Sequence, residues 1–143
     1  MMATRPGYAD VEVGTMLPAQ SFAIERRDLV RYCGASGDFN VIHWNQRVAV
    51  EVGLPDVIAH GMYTMALASR IVTDWAGDPG ALLEYGVRFT RPVVVPDDGQ
   101  GAVLVVSGVV SAKLADDEVL VDLTAQCGEA KVLAKAQARV RLG

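Results

Sequence analysis

The rhythm of apolar positions changes near the middle of the chain. Before residue 80 the apolar residues fall at helical spacing in three stretches, and after it they alternate with polar ones. Leu29, Tyr32 and Cys33 predict a short helix over 25–34 that stops at Gly34. Asn45 is placed to cap a second one carrying Val48, Ala49 and Val52, closed by Gly53 and Leu54-Pro55. The longest helical stretch runs from Met62 to about Trp75. Its apolar residues (Met65, Ala66, Leu67, Ala68, Ile71 and Val72 among them) lie nearly all round the wheel, so something must surround it.

Strands supply that cover. Residues 82–91 set Leu83, Tyr85, Val87 and Phe89 against Glu84, Gly86, Arg88 and Thr90. Residues 119–126 repeat the alternation, and 131–142 place Val132, Ala134, Ala136, Ala138, Val140 and Leu142 on one face. The more continuously apolar Val103 to Val110 predicts a central strand. Asp97-Asp98-Gly99, Asp116-Asp117 and Cys127-Gly128-Glu129 supply short turns, which favour antiparallel neighbours. The small row of alanines lets a bulky element approach the sheet. The expected architecture is α+β, a curved antiparallel sheet wrapped around a long central helix, in one domain spanning 1–143.

Composition narrows the function. With 143 residues, 51% of them hydrophobic, and a net charge of −4, the chain has no cationic surplus for nucleic acid. No stretch approaches the length of a membrane span and the first residues lack a signal-peptide core, which predicts a soluble cytoplasmic protein. The apolar share is rich for so small a domain and points to a buried partner surface. Cys33 and Cys127 lack metal or redox spacing and are expected to be two buried thiols.

Candidate chemistry lies in the irregular stretch Ser36-Gly37-Asp38-Phe39-Asn40-Val41-Ile42-His43 and in Ala59-His60-Gly61-Met62. Asp38 and His43 can act as an acid–base pair around one water or hydroxyl. They can equally serve the loop itself, Asp38 capping a turn and His43 hydrogen-bonded within it. Gly61 opens the long helix, where unpaired backbone N–H groups are able to hold a carbonyl oxygen, or it simply makes a tight turn. Asp38, His43 and His60 lack HxH or HExxH spacing, so no metal is expected. Met62 and Met65 fit a core or the wall of an apolar tunnel.

Tyr32-Cys33-Gly34-Ala35-Ser36-Gly37-Asp38-Phe39-Asn40-Val41-Ile42-His43 resembles the hydratase-2 motif of the MaoC-like dehydratases, the (R)-specific enoyl-thioester hydratases. His60-Gly61-Met62 and Tyr85-Gly86-Val87-Arg88-Phe89 extend the resemblance over nearly the whole chain. From Ser36 to Pro96 it is similar to the catalytic subunit of the (3R)-hydroxyacyl-ACP dehydratases of mycolic-acid synthesis. Val41 stands where the motif has proline. The resemblance implies a hot-dog fold that dehydrates (3R)-hydroxyacyl thioesters to trans-2-enoyl thioesters, reversibly. It implies Asp38 and His43 as the catalytic pair, with Asn40, Ser36 and His60 in support. The Gly61 amide would bind the thioester carbonyl, and Met62, Tyr63, Met65 and Ala66 would border the acyl chain.

The resemblance further implies pairing with a second hot-dog subunit, identical or distinct. No cofactor is implied beyond the CoA or acyl-carrier-protein arm that brings the substrate. Lys131, Lys135, Arg139 and Arg141 are expected to share one strand face, either simply solvated or meeting that carrier. The rival expectations are a hot-dog thioesterase and a non-catalytic acyl-thioester-binding subunit.

Overall fold

Leu17, Phe22 and Ile24 point inward from the first strand, β1 (Met16–Ile24), one edge of the sheet. The computed structural model describes residues 4–143. After β1 come three helices, α1 (Arg26–Ser36), α2 (Gln46–Glu51) and α3 (Gly61–Ala76). Five strands follow: β2 (Leu82–Phe89), β3 (Ala102–Lys113), β4 (Glu118–Cys127), the two-residue β5 (Ala130–Lys131) and β6 (Leu133–Arg141). The sheet is antiparallel in the order β1-β3-β4-β6-β2, with β5 beside β4. The sheet does not close into a barrel.

The expected strands all form, but β1 is an addition. Its alternation is blurred by Pro18 and by a register shift between Leu17 and Gln20. Proline costs little at a sheet edge, where one N–H row pairs with nothing. The alternation expected over 131–142 also breaks. Lys135 has φ 48°, and between Gly86 and Arg88 on β2 the register slips by one residue. Leu133 rather than Ala134 is therefore buried, while Ala136, Ala138 and Val140 keep the expected phase.

Helix α3 lies against the concave face and buries Thr64, Leu67, Ala68, Ile71, Val72 and Ala76. Gly108 makes room for it, since a Cβ there would meet Ile71 Cδ1 at 3.2 Å. The Tyr85 hydroxyl donates to the Met65 carbonyl at 2.9 Å and ties β2 to the helix; burial pushes this phenol up to about 12. The cover is less complete than the wheel implied. Met62, Ala66, Arg70 and Asp74 form an exposed stripe at four-residue spacing. Cys33 is buried, whereas Cys127 is only half-buried against the core. No helix among the described residues is long and apolar enough to cross a membrane.

Helix α1 runs through Gly34 and stops two residues later than expected. Gly37, at φ 77°, takes the left-handed turn and donates to the Cys33 carbonyl. Asn45 caps α2 as expected, its side chain accepting from the Val48 N–H at 3.2 Å.

Candidate active site

The loop after α1 is built from short-range hydrogen bonds by its own polar side chains. Ser36 Oγ donates to the Tyr32 carbonyl at 2.7 Å and accepts from the Asp38 N–H at 3.1 Å. Asp38 Oδ1 accepts from the Asn40 N–H at 3.1 Å, leaving Oδ2 free, and Asn40 Oδ1 accepts from the Ile42 N–H at 3.3 Å. Asn40 thereby caps the single 3₁₀ turn Val41–His43 that delivers the imidazole. The turn forms without proline at position 41. Asp38 does cap a turn, whereas the His43 ring is held from outside the loop by the Ile58 carbonyl, and these bonds leave Asp38 Oδ2 and His43 Nε2 facing each other.

His43 is 7% exposed, and its Nδ1 lies 2.7 Å from the Ile58 carbonyl. A carbonyl only accepts, so Nδ1 carries hydrogen and the neutral ring keeps its lone pair on Nε2. That Nε2 is 4.0 Å from Asp38 Oδ2. The separation exceeds a direct hydrogen bond and leaves both atoms able to hold one oxygen between them.

His60 lies beneath the pair. Its ring stacks on His43 with centroids 3.8 Å apart, and its far side meets Tyr32 at 4.6 Å. Tyr63 continues this row, 5.2 Å from Tyr32. His60 Nε2 donates to the Asp38 carbonyl at 3.1 Å and sits 3.5 Å from Cys33 Sγ, while its Nδ1 is buried without a partner. Burial lowers the pKa of His60 below 6.5, and the nearby His43 adds to that against the opposing bond to the Asp38 carbonyl. Burial, with the Asp38 charge, raises that of the Cys33 thiol, which suits a packing role better than a nucleophilic one.

His60 is also the N-cap residue of α3, so Gly61 follows directly. As the first residues of the helix, Gly61 and Met62 have no intrahelical acceptor for their N–H groups. Gly61 floors an open cleft of about 270 Å³ lined also by His43, Ile58, Thr64, Phe89 and Arg91. A Cβ on Gly61 would sit 3.1 Å from the Phe89 ring, so glycine is what keeps this floor accessible.

The structure brings Asp38, His43, His60 and Gly61 together, with Ser36 and Asn40 shaping the loop. The expected acyl-tunnel residues fall elsewhere. Met62 and Ala66 are exposed on the outer stripe of α3, Tyr63 packs on Tyr32 and Met65 is half-buried; the cleft takes Gly61 and Thr64 from the helix instead. Helical geometry explains this, because 61 and 64 share a face that 62 and 66 leave. The row of basic residues also divides. Glu118, 7% exposed, accepts from Arg139 at 2.7 Å and Arg141 at 2.9 Å, which holds its carboxyl below the usual range. Lys131 and Lys135 remain apart from that cluster. Sequence reasoning missed the Ile58 carbonyl, which no side-chain pattern advertises, and Phe89 and Arg91 as cleft walls.

Asp38, His43 and His60 offer nitrogen and oxygen atoms within 4.8 Å of one another. The two rings are stacked with planes 23° apart. His43 Nδ1 and His60 Nε2 are already committed to carbonyls. Asp38 Oδ2, His43 Nε2 and His60 Nδ1 are the donor atoms left uncommitted.

Residues 10–126 match the family model described as MaoC like domain. Over 79 residues the chain is 40% identical to 3-hydroxyacyl-thioester dehydratase X of Mycobacterium tuberculosis, covering 55% of this chain and 27% of that protein. A solved MaoC-like dehydratase superposes with a TM-score of 0.93 at 38% identity, over 97% of this chain and 43% of that one. The unliganded R-hydratase PhaJ1 from Pseudomonas aeruginosa superposes with a TM-score of 0.82 at 30% identity, over 95% and 84%. The chain thus spans less than half the length of the first two. A sheet wrapped on one long helix, a matched family model over most of the length and these neighbours lead to one assignment: this chain is a hot-dog protein and belongs to the MaoC-like domain family.

Proposed function

We propose that this chain catalyses the reversible syn hydration and dehydration of acyl thioesters, interconverting a (3R)-hydroxyacyl and a trans-2-enoyl thioester. The observation that carries this reading is the 4.0 Å gap between Asp38 Oδ2 and His43 Nε2, beside a cleft lined by His43 and Gly61. In the hydration direction one water occupies the gap. The pair takes a proton from it as its oxygen adds to the β-carbon, and a proton returns to the α-carbon. In dehydration the pair takes the α-proton and gives a proton to the β-hydroxyl, which departs as water, so the site is regenerated. Charge developing on the thioester oxygen is met by the helix-start N–H, a donor worth roughly 3 kcal/mol where it is well aimed. Proton transfers alone balance the reaction, so the only auxiliary group it requires is the substrate's own carrier arm, CoA or acyl-carrier protein.

A second hot-dog unit completes this reading. Phe39 and Trp44 on the site loop, Met62 on α3 and Phe89 on β2 are 62%, 48%, 58% and 49% exposed, apolar surface that a partner subunit would cover. Relatives longer than this chain fit a pairing of two units, whether the partner is an identical copy or a distinct chain.

The test is a matched assay on crotonyl-CoA, a long-chain enoyl-CoA and their carrier-protein equivalents, with solution mass measured alongside. Loss of enoyl absorbance without thiol release is expected. Thiol release instead would identify a thioesterase, and tight binding without turnover would identify a non-catalytic subunit.

A further inference from the structure

Phe89 sits against the first residue of α3. A Cβ placed on Gly61 would meet three atoms of its ring, Cε1, Cδ1 and Cζ, at 3.1, 3.2 and 3.3 Å. The main chain carrying the ring is pinned. Phe89 pairs with Leu133 on β6, and Thr90 donates its N–H to the Val132 carbonyl at 3.1 Å and its hydroxyl to the Lys131 carbonyl at 3.0 Å. The ring turns only about its own side-chain bonds. The cleft it lines is also bounded by Ala59, Thr64, Val93 and Val132, none more than 4% exposed, and close-packed residues of this kind yield little room.

Gly61 therefore has two unlike neighbours. His60, the residue before it, stacks on His43 of the pair, while its own bare Cα faces Phe89. In a 3-hydroxyacyl thioester the α-carbon is tetrahedral. The hydrogen to be removed points at the pair, and the second hydrogen leans to the opposite face. We propose that Phe89 walls that opposite face and restricts the site to thioesters unbranched at the α-carbon, because an α-methyl group would be driven into the ring. This selectivity rests on the function proposed above. One methyl group more or less in an apolar site discriminates by roughly ten- to 200-fold.

The test compares crotonyl with tiglyl (2-methylcrotonyl) thioesters, on whichever carrier supports turnover, in the full chain, Phe89→Leu and Phe89→Ala. The methyl group changes intrinsic reactivity equally in all three, so a change in the ratio of kcat/KM for tiglyl to that for crotonyl reads the wall alone. The ratio is expected to rise about tenfold in Phe89→Ala and by less in Phe89→Leu. Melting temperature should change little, because the ring is half exposed. Calorimetry with propionyl-CoA and isobutyryl-CoA, which differ by one α-methyl group, needs no reaction. The full chain should prefer propionyl about tenfold, and Phe89→Ala should lose that preference. The ratio decides where turnover is seen, and binding decides where it is not. Equal use of both enoyl thioesters by the full chain, or a ratio that neither substitution moves, would overturn the wall while leaving the proposed reaction standing. A binding preference lost in Phe89→Ala, in a chain without hydratase activity, would uphold the wall and reject the reaction. Neither binding nor turnover would reject both.

Discussion

His60 stacks face to face under His43 while its Nε2–H holds the carbonyl of Asp38, so one buried ring touches both members of the pair. His60→Phe keeps a ring beneath His43 but loses the donor; His60→Gln keeps a donor near the same place but loses the stack. Each is expected to lower kcat about tenfold or more with KM little changed. A purely structural role would lower the melting temperature while leaving kcat per folded molecule intact, so both quantities need measuring.

Asp38→Asn and His43→Gln should each reduce turnover at least about a hundredfold, the scale of a positioned acid or base. Circular dichroism and melting should stay near the parent, because Asn retains the oxygen that accepts from Asn40 and Asp38 is exposed. Near-normal turnover in either variant would remove the pair from the chemistry.

Gly61→Ala should lower kcat/KM by pressing Phe89 into the cleft, since the added methyl would lie 3.1 Å from the ring. The phenyl group is half in solvent and can move, so stability should fall little. Adding Phe89→Ala should recover activity; if it does not, crowding of the cleft is the wrong explanation.

Acid stability should decline in two steps. The folded-state pKa of His60 is below 6.5, so the unfolded chain takes up its proton first and stability falls as pH drops from 6.5 towards the folded value. Glu118, held below 4.5 by Arg139 and Arg141, contributes above 4.5 and is lost as pH falls through its own lowered pKa. Melting followed from pH 8 to 3 checks both. His60→Phe should flatten the upper step and Glu118→Gln the lower.

The β3–β4 turn places Asp116 and Asp117 at φ 59° and 57°, closed by the Glu118 N–H on the Ala115 carbonyl at 3.2 Å. Two left-handed central residues favour Asn-Gly. Asp116→Asn combined with Asp117→Gly should stabilise the protein by up to about 1 kcal/mol, read from urea unfolding.

Much of this arrangement is legible in the residue pattern, and the failures have physical causes. The long helix shows because its apolar positions are dense, and strands β4 and β6 show because one face meets the core and the other water. Strand β1 hides because Pro18 and the slip before Gln20 interrupt its alternation. The slip at Lys135 is equally hidden, since lysine carries no sign of a left-handed backbone. Asp38, His43 and Gly61 can be picked out by side-chain chemistry and helix position. The Ile58 carbonyl, which sets the tautomer of His43, belongs to the main chain and leaves no such mark.

Because His60 is at once the prop for the loop and the residue that launches α3, the Asp38–His43 pair and Gly61 share a single mount. Jostling of that mount shifts both together and preserves their spacing.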